Sequence, residues 1–178
     1  MASLGQRMVG AMQGNAATFE EIEHDTSAMG QAVTVIVIAG VAALIGNIFR
    51  SGLTGGIVAL LISLIAYGIW AVIVTLVGTK LMPEPQTKAD FAETFRTIAF
   101  AASPGIFNVL AIIPLLGVLI SFLISLWSLV IMVIAVKVVL DYSSIGRAII
   151  VVIIGWIISM IFYAMVFVST LGASMAMG

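Results

Sequence analysis

Thr97 to Val136 reads TIAFAASPGIFNVLAIIPLLGVLISFLISLWSLVIMVIAV, 40 residues without one charged side chain. As a single helix it would be about 60 Å long, twice the roughly 30 Å of a bilayer's hydrocarbon core. The stretch therefore has to turn back on itself. Pro114-Leu115-Leu116-Gly117 is the place for the turn, because Pro ends a helix and Gly relieves a tight reversal. Working outward, three more apolar runs meet the length for a membrane crossing: Val33 to Phe49, Gly55 to Gly78 and Ala148 to Leu171. The pattern predicts an all-α, polytopic membrane helix bundle of five transmembrane helices, at about 33–49, 55–79, 97–115, 117–138 and 147–171. Ser103-Pro104-Gly105 breaks the third span, where the Ser103 hydroxyl can satisfy a freed backbone group. A re-entrant third segment, leaving four true spans, is the competing geometry.

Composition agrees with a lipid solvent. Of 178 residues 62% are hydrophobic and 8% charged, too few charges to cover a water-soluble globule. A net charge of −1 offers no basic field for nucleic acid, which is not expected as a partner. The absence of Cys and the single His24 remove thiol chemistry and most metal or cofactor ligation, so no metal and no cofactor is expected.

Lys and Arg in short loops remain on the cytoplasmic side. Five spans put Arg7, Lys80, Lys88, Arg96, Lys137 and Arg147 on one side and Arg50 alone on the other. That split predicts a cytoplasmic N-terminus and an extracytoplasmic C-terminus. Residues 1–32 read as a cytoplasmic or interfacial helical segment, and 33–178 as the transmembrane domain. Met1 to Ala32 lacks the apolar core of a cleavable signal and carries Glu20, Glu21, Glu23 and Asp25. Leu4, Met8, Val9 and Met12 recur at helical spacing, predicting a short amphipathic helix on the inner surface. Thr18 with Glu21 and Thr87 with Asp90 read as capping boxes starting cytoplasmic helices. In the second of these Phe91 and Phe95 face lipid or the bundle, and Arg96 snorkels to headgroups.

Two stretches carry a family resemblance. One is Thr18-Phe19-Glu20-Glu21-Ile22-Glu23-His24-Asp25 followed by Gly30-Gln31-Ala32. The other is Phe91-Ala92-Glu93-Thr94-Phe95-Arg96-Thr97-Ile98-Ala99-Phe100-Ala101-Ala102-Ser103-Pro104, leading through Pro114 and Gly117 to Trp127, Asp141-Tyr142-Ser143 and Arg147-Ala148. Together they resemble the Yip1-domain family of small multi-pass membrane proteins in its bacterial form. The resemblance implies a five-span bundle with a cytoplasmic N-terminus, and the bacterial form implies the cytoplasmic (inner) membrane. Eukaryotic members are Golgi and ER proteins linked to vesicle traffic and Rab GTPases. This chain lacks their Asp-Leu-Tyr-Gly-Pro-like motif, so a Rab-type role is not implied.

No span contains an acidic residue, and Asp141 stands alone at an interface. Ser63, Ser121, Ser125 and Ser159 have no His within the bilayer to act as base. Neither Gly-x-Ser-x-Gly, His-Glu-x-x-His nor a P-loop occurs. Enzymatic activity is therefore not expected. His24 beside Glu23 and Asp25 reads as a solvated acidic helix rather than a metal site. Lys137 and Asp141, four apart, can pair at a helix end, with Arg147 joining across the turn. Ala42 with Gly46, Gly155 with Ser159, and Gly172 with Ala176 are small-residue pairs that suit close helix contact. Asn47 and Asn108 want partners in or near lipid, and Trp70, Trp127 and Trp156 fall near mid-span as contact fillers.

The expected function is a non-catalytic scaffold or accessory protein binding other integral membrane proteins, with membrane lipids and a second copy of the chain as further partners. Contacts are placed at Phe91, Phe95, Arg96, Ser103, Pro104, Asn108, Lys137, Asp141 and Arg147. A transporter, a channel or a lipid-handling protein with its site near the broken third helix is the alternative.

Overall fold

In hydrocarbon every backbone N–H and C=O has to be paired within the chain, and a helix does this locally. The computed structural model describes residues 2–113 and 115–176, with side chains up to Ile161. Among the described residues there is no strand, and there are seven α-helices: α1 (Leu4–Met12), α2 (Ala16–His24), α3 (Met29–Gly46), α4 (Ile48–Leu76), α5 (Phe91–Phe100), α6 (Gly117–Val139) and α7 (Ile145–Ala176). A turn of π-helix, Val77–Leu81, extends α4, and a 3-10 helix, Ser103–Ile112, follows α5. Four stretches are long and apolar enough to cross a membrane: Thr26–Gly46, Ile48–Leu81, Phe91–Ile112 and Gly117–Val139. Helix α7 is apolar from Ile145 to Ile161, where its described side chains end.

The boundaries differ from the sequence reading where local chemistry decides them. Asn47 alone separates α3 from α4, its side-chain amide donating to the Ala43 carbonyl at 2.9 Å. The real reversal comes at Gly52, whose φ of 65° and ψ of 176° are open to glycine and interrupt the first turn of α4. The third apolar segment starts at Phe91 rather than near Thr97. At its middle, Ser103 Oγ donates to the Phe100 carbonyl at 2.7 Å, the acceptor that the Pro104 nitrogen would bond in a continuous α-helix. The chain changes there from α to the thinner 3-10 form. Pro114 lies outside the described residues; beside it Leu115 is left-handed, at φ 68°, and α6 begins at Gly117.

This broken third segment is the centre of the molecule. Of its most apolar stretch 61% is buried, against 11% for Ile48–Leu81, so α4 runs at the periphery. Small residues bring the 3-10 segment onto α3: a Cβ on Gly46 would sit 1.9 Å from the Asn108 carbonyl oxygen, and one on Gly105 2.8 Å from Ala39 Cβ.

The N-terminal helices close one side of the core. Gly14, at φ 68°, turns α1 back onto α2. Met8, Ala11, Phe19 and Ile22 are buried together with Val35 and Ile36 of α3, Phe100 of α5, and Ile131 and Ala135 of α6. Burying Phe19 and Ile22 completely contributes about 1.5–3 kcal/mol each. The α1–α2 hairpin is thus part of the packed bundle. The amphipathic helix expected from Leu4, Met8, Val9 and Met12 is present, with Met8 turned into the core while Val9 stays 51% exposed.

Candidate functional site

Charged side chains gather at one end of the bundle, and most are engaged within the fold. Arg7, buried on α1, donates to Glu21 Oε1 at 2.9 Å, to Gln31 Oε1 at 3.0 Å and to Asp25. A buried guanidinium is tolerated only with several partners, and here α2 and α3 supply them. The Ser27 hydroxyl and Arg7 together hold the Asp25 carboxyl down at about 2. Arg96 is also buried and donates through Nη2 to the main-chain carbonyl of Glu23, pinning α2 to α5. The Glu23 carboxyl is buried beside this contact. Burial pushes it up to about 7, with the Asp141, Glu93 and Glu20 carboxylates adding to the rise and His24 opposing it.

A second set of bonds ties the loop after α4 to the α6–α7 turn. Tyr142 Oη donates to the Met82 carbonyl at 2.9 Å, Thr87 Oγ1 to the Leu140 carbonyl at 2.8 Å and Gln86 Nε2 to the Asp141 carbonyl at 2.9 Å. Glu84 accepts from Ser143 N and Oγ at 3.0 and 3.1 Å and pairs with Arg147 Nε at 3.1 Å. Ser143 and Arg147 therefore hold Glu84 below the usual carboxylate range.

The sequence-predicted contact residues are not one surface. Phe91 is 47% exposed, with its ring 6.0 Å from that of half-buried Phe95. Arg96 does not snorkel, because the Glu23 carbonyl binds it inside the protein. Ser103 and Pro104 are buried, and Ser103 spends its hydroxyl on Phe100, so neither is available to a partner or a lipid. Asn108 is half-buried; its main-chain carbonyl, more than its amide, shapes the contact with α3. Lys137 and Asp141 form no ion pair among the described residues. Asp141 adopts φ 52° past the helix end, and Arg147 takes Glu84 instead. His24 Nδ1 meets the Glu20 carbonyl at 2.8 Å, and no three His, Asp or Glu side chains among the described residues are grouped to hold a metal. The pair Gly172 and Ala176 lies outside the described side chains.

A cavity of about 340 Å³ lies between α4, α6 and α7, within the range of about 300–1,000 Å³ usual for small-molecule sites. Its walls include Tyr67 and Trp70 from α4, Ser125 and Ser128 from α6, and Trp156 and Ser159 from α7. Trp70 packs its six-membered ring against Gly155, where a Cβ would stand 2.9 Å away. The indole Nε1 of Trp70 is buried and has no hydrogen-bond partner among the described residues. Trp127, by contrast, stacks on Phe107 at 5.7 Å and donates to the Met12 carbonyl at 3.0 Å. Sequence reasoning took the Trp residues as contact fillers and weighed Ser125 and Ser159 as nucleophiles without a base, Ser159 also as a small-residue contact with Gly155. The available signal was the spacing of Ser121, Ser125 and Ser128, which puts a hydroxyl stripe on one face of α6.

Residues 10–167 match the Yip1 domain. The chain belongs to the Yip1-domain family. No curated protein and no solved structure matches it. The Yip1 match begins inside α1 and ends within α7, so α2, the cavity and the charged end apart from Arg7 lie within the Yip1 domain.

Proposed function

We propose that this Yip1-domain protein is a non-catalytic integral membrane scaffold or accessory subunit that binds other membrane proteins laterally, through helix faces. It carries five spans, with the N-terminus and the charged end in the cytoplasm of a bacterial inner membrane and the C-terminus outside. The observation that supports this reading is the outer face of α4. Leu53, Ile57, Leu61, Ile65, Ile69, Val72 and Leu76 follow one another at helical spacing, and all are exposed. They form a ridge of the kind that packs against a neighbouring transmembrane helix. The buried arginines and Glu84, meanwhile, already have partners within the chain, and no catalytic constellation accompanies them among the described residues. What the protein offers its surroundings is mainly apolar helix surface.

Photo-crosslinking side chains installed at Leu61 and Ile65 test the proposal in native membranes, with Leu140, which is fully buried, as control. A discrete adduct to another integral membrane protein, or to a second copy, is expected at the two exposed sites and not at Leu140. Adducts to lipid alone at both positions would overturn it.

A further inference from the structure

We propose that the cavity between α4, α6 and α7 is a binding site for the headgroup of an isoprenoid quinone, and this goes beyond the scaffold role. Depth comes first. Trp70 stands 11 residues before Leu81, Ser128 11 before Val139 and Gly155 10 after Ile145. At about 1.5 Å per residue all three helices put this level about 15–17 Å from their charged ends, near the middle of a hydrocarbon core of about 30 Å. A ligand reaching the cavity arrives from within the bilayer.

Chemistry then narrows the ligand. Ser128 and Ser159 bring hydroxyls into the cavity wall that make no hydrogen bond among the described residues, a costly state in an apolar medium that an acceptor from the occupant would relieve. An acyl chain brings no acceptor to this depth, since glycerolipid oxygens reside at the interface. A quinone ring does, because its polyprenyl tail lets the headgroup enter the bilayer and its two carbonyls accept hydrogen bonds. The walls suit such a ring: Tyr67, Trp70 and Trp156 supply flat apolar surface, and Ser128 and Ser159 supply hydroxyl donors. The occupant is held by stacking and hydrogen bonds, without a charge and without a covalent step.

The test uses the full chain with Trp127→Phe, which leaves the cavity tryptophans as the only indoles, in vesicles of phosphatidylcholine and phosphatidylglycerol. Decyl-ubiquinone is titrated while indole fluorescence is read, with decanol as a tail-only control. Saturable quenching that decanol does not reproduce or displace is expected. Ser128→Ala in the same background removes one of these donors and leaves both cavity indoles in place, and is expected to weaken binding about tenfold, the loss of one hydrogen bond in an apolar site. Linear quenching equal in both proteins would mean collision in the bilayer, and displacement by decanol would mean an acyl-chain groove; either overturns the proposal. Should Ser128→Ala fail to accumulate, an azidoquinone photolabel on the unaltered chain decides. Adducts within residues 66–73, 125–132 or 156–159 support the site, whereas labelling spread over the exposed ridge at Leu53, Ile57 and Leu61 overturns it.

Discussion

At the scale of single residues, contact distance outweighs residue chemistry. A Cβ on Gly46 would meet the Asn108 carbonyl oxygen at 1.9 Å, and because that oxygen is main chain it cannot swing away. Gly46→Ala is expected to cost about 1–3 kcal/mol through overpacking, read as a lower unfolding temperature in detergent. Gly68→Ala is the matched control, since a Cβ there meets nothing within 4 Å, and it should leave the unfolding temperature equal or slightly higher. An equal loss in both variants would remove the α3 contact as the cause. Asn108 shows what sequence can and cannot supply here. An amide in an apolar run marks a position of interest, but that its backbone oxygen sets the helix spacing becomes visible only when two segments distant in sequence are brought together. Arg96 repeats the lesson. Its charge suggested a headgroup, while the partner it found was the carbonyl of Glu23, 73 residues away.

Among the elements, the α1–α2 hairpin is fastened by groups that titrate in opposite directions. Glu23, ordinarily at 4.5 and raised to about 7 by burial, favours the docked hairpin when protonated. Its contribution is complete below about 4.5, falls as the pH rises towards 7 and is gone above it, because the undocked state gives up its proton first. Asp25, ordinarily at 3.8 and held at about 2 by Ser27 and Arg7, contributes above 3.8 and is lost as the pH falls through 2. Glu21, lowered by Arg7, adds to the acid-side loss. Docking is therefore expected to be tightest at about pH 4 to 5 and looser at neutral pH. Hydrogen exchange over residues 13–25 between pH 4 and 8 reads this out, and Glu23→Gln should flatten the limb between 4.5 and 7. A limb that persists in the variant would assign it to another group. Sequence carried the elements themselves further than their ends. Apolar length is a one-dimensional property, so α3, α4, α6 and the broken third segment were legible. Caps depend on which polar group reaches a free N–H first: Asn15 caps α2 and Asp90 with Glu93 boxes α5, each near the Thr whose spacing suggested the cap. Thr87 instead serves Leu140, a long-range partner that no local pattern announces.

Over the whole molecule, the arrangement of cations is the property that relates the fold to the bilayer. Arg7, Arg96 and Arg147 belong to the bonded end with Glu21, Asp25, Glu23 and Glu84, and Lys80 and Lys88 flank Glu84 in sequence. Arg50 lies across the bundle, lining a second cavity of about 310 Å³ with Gly46 and Gly117. Loops rich in Lys and Arg resist export, so the proposed topology puts the bonded end in the cytoplasm and Arg50 outside. The chain has no Cys, which makes single cysteines clean reporters. Ser144→Cys stands on the exposed α6–α7 turn and Ser51→Cys beside Arg50, also exposed. A membrane-impermeant maleimide added to intact spheroplasts should label Ser51→Cys, and should label Ser144→Cys only after lysis. The reverse pattern would invert the topology and place the outer mouth of the Arg50 cavity in the cytoplasm. Labelling of both from outside would mean that α4, the 3-10 segment and α6 do not cross together, and would leave the α4 ridge without the bilayer neighbours on which the scaffold role depends.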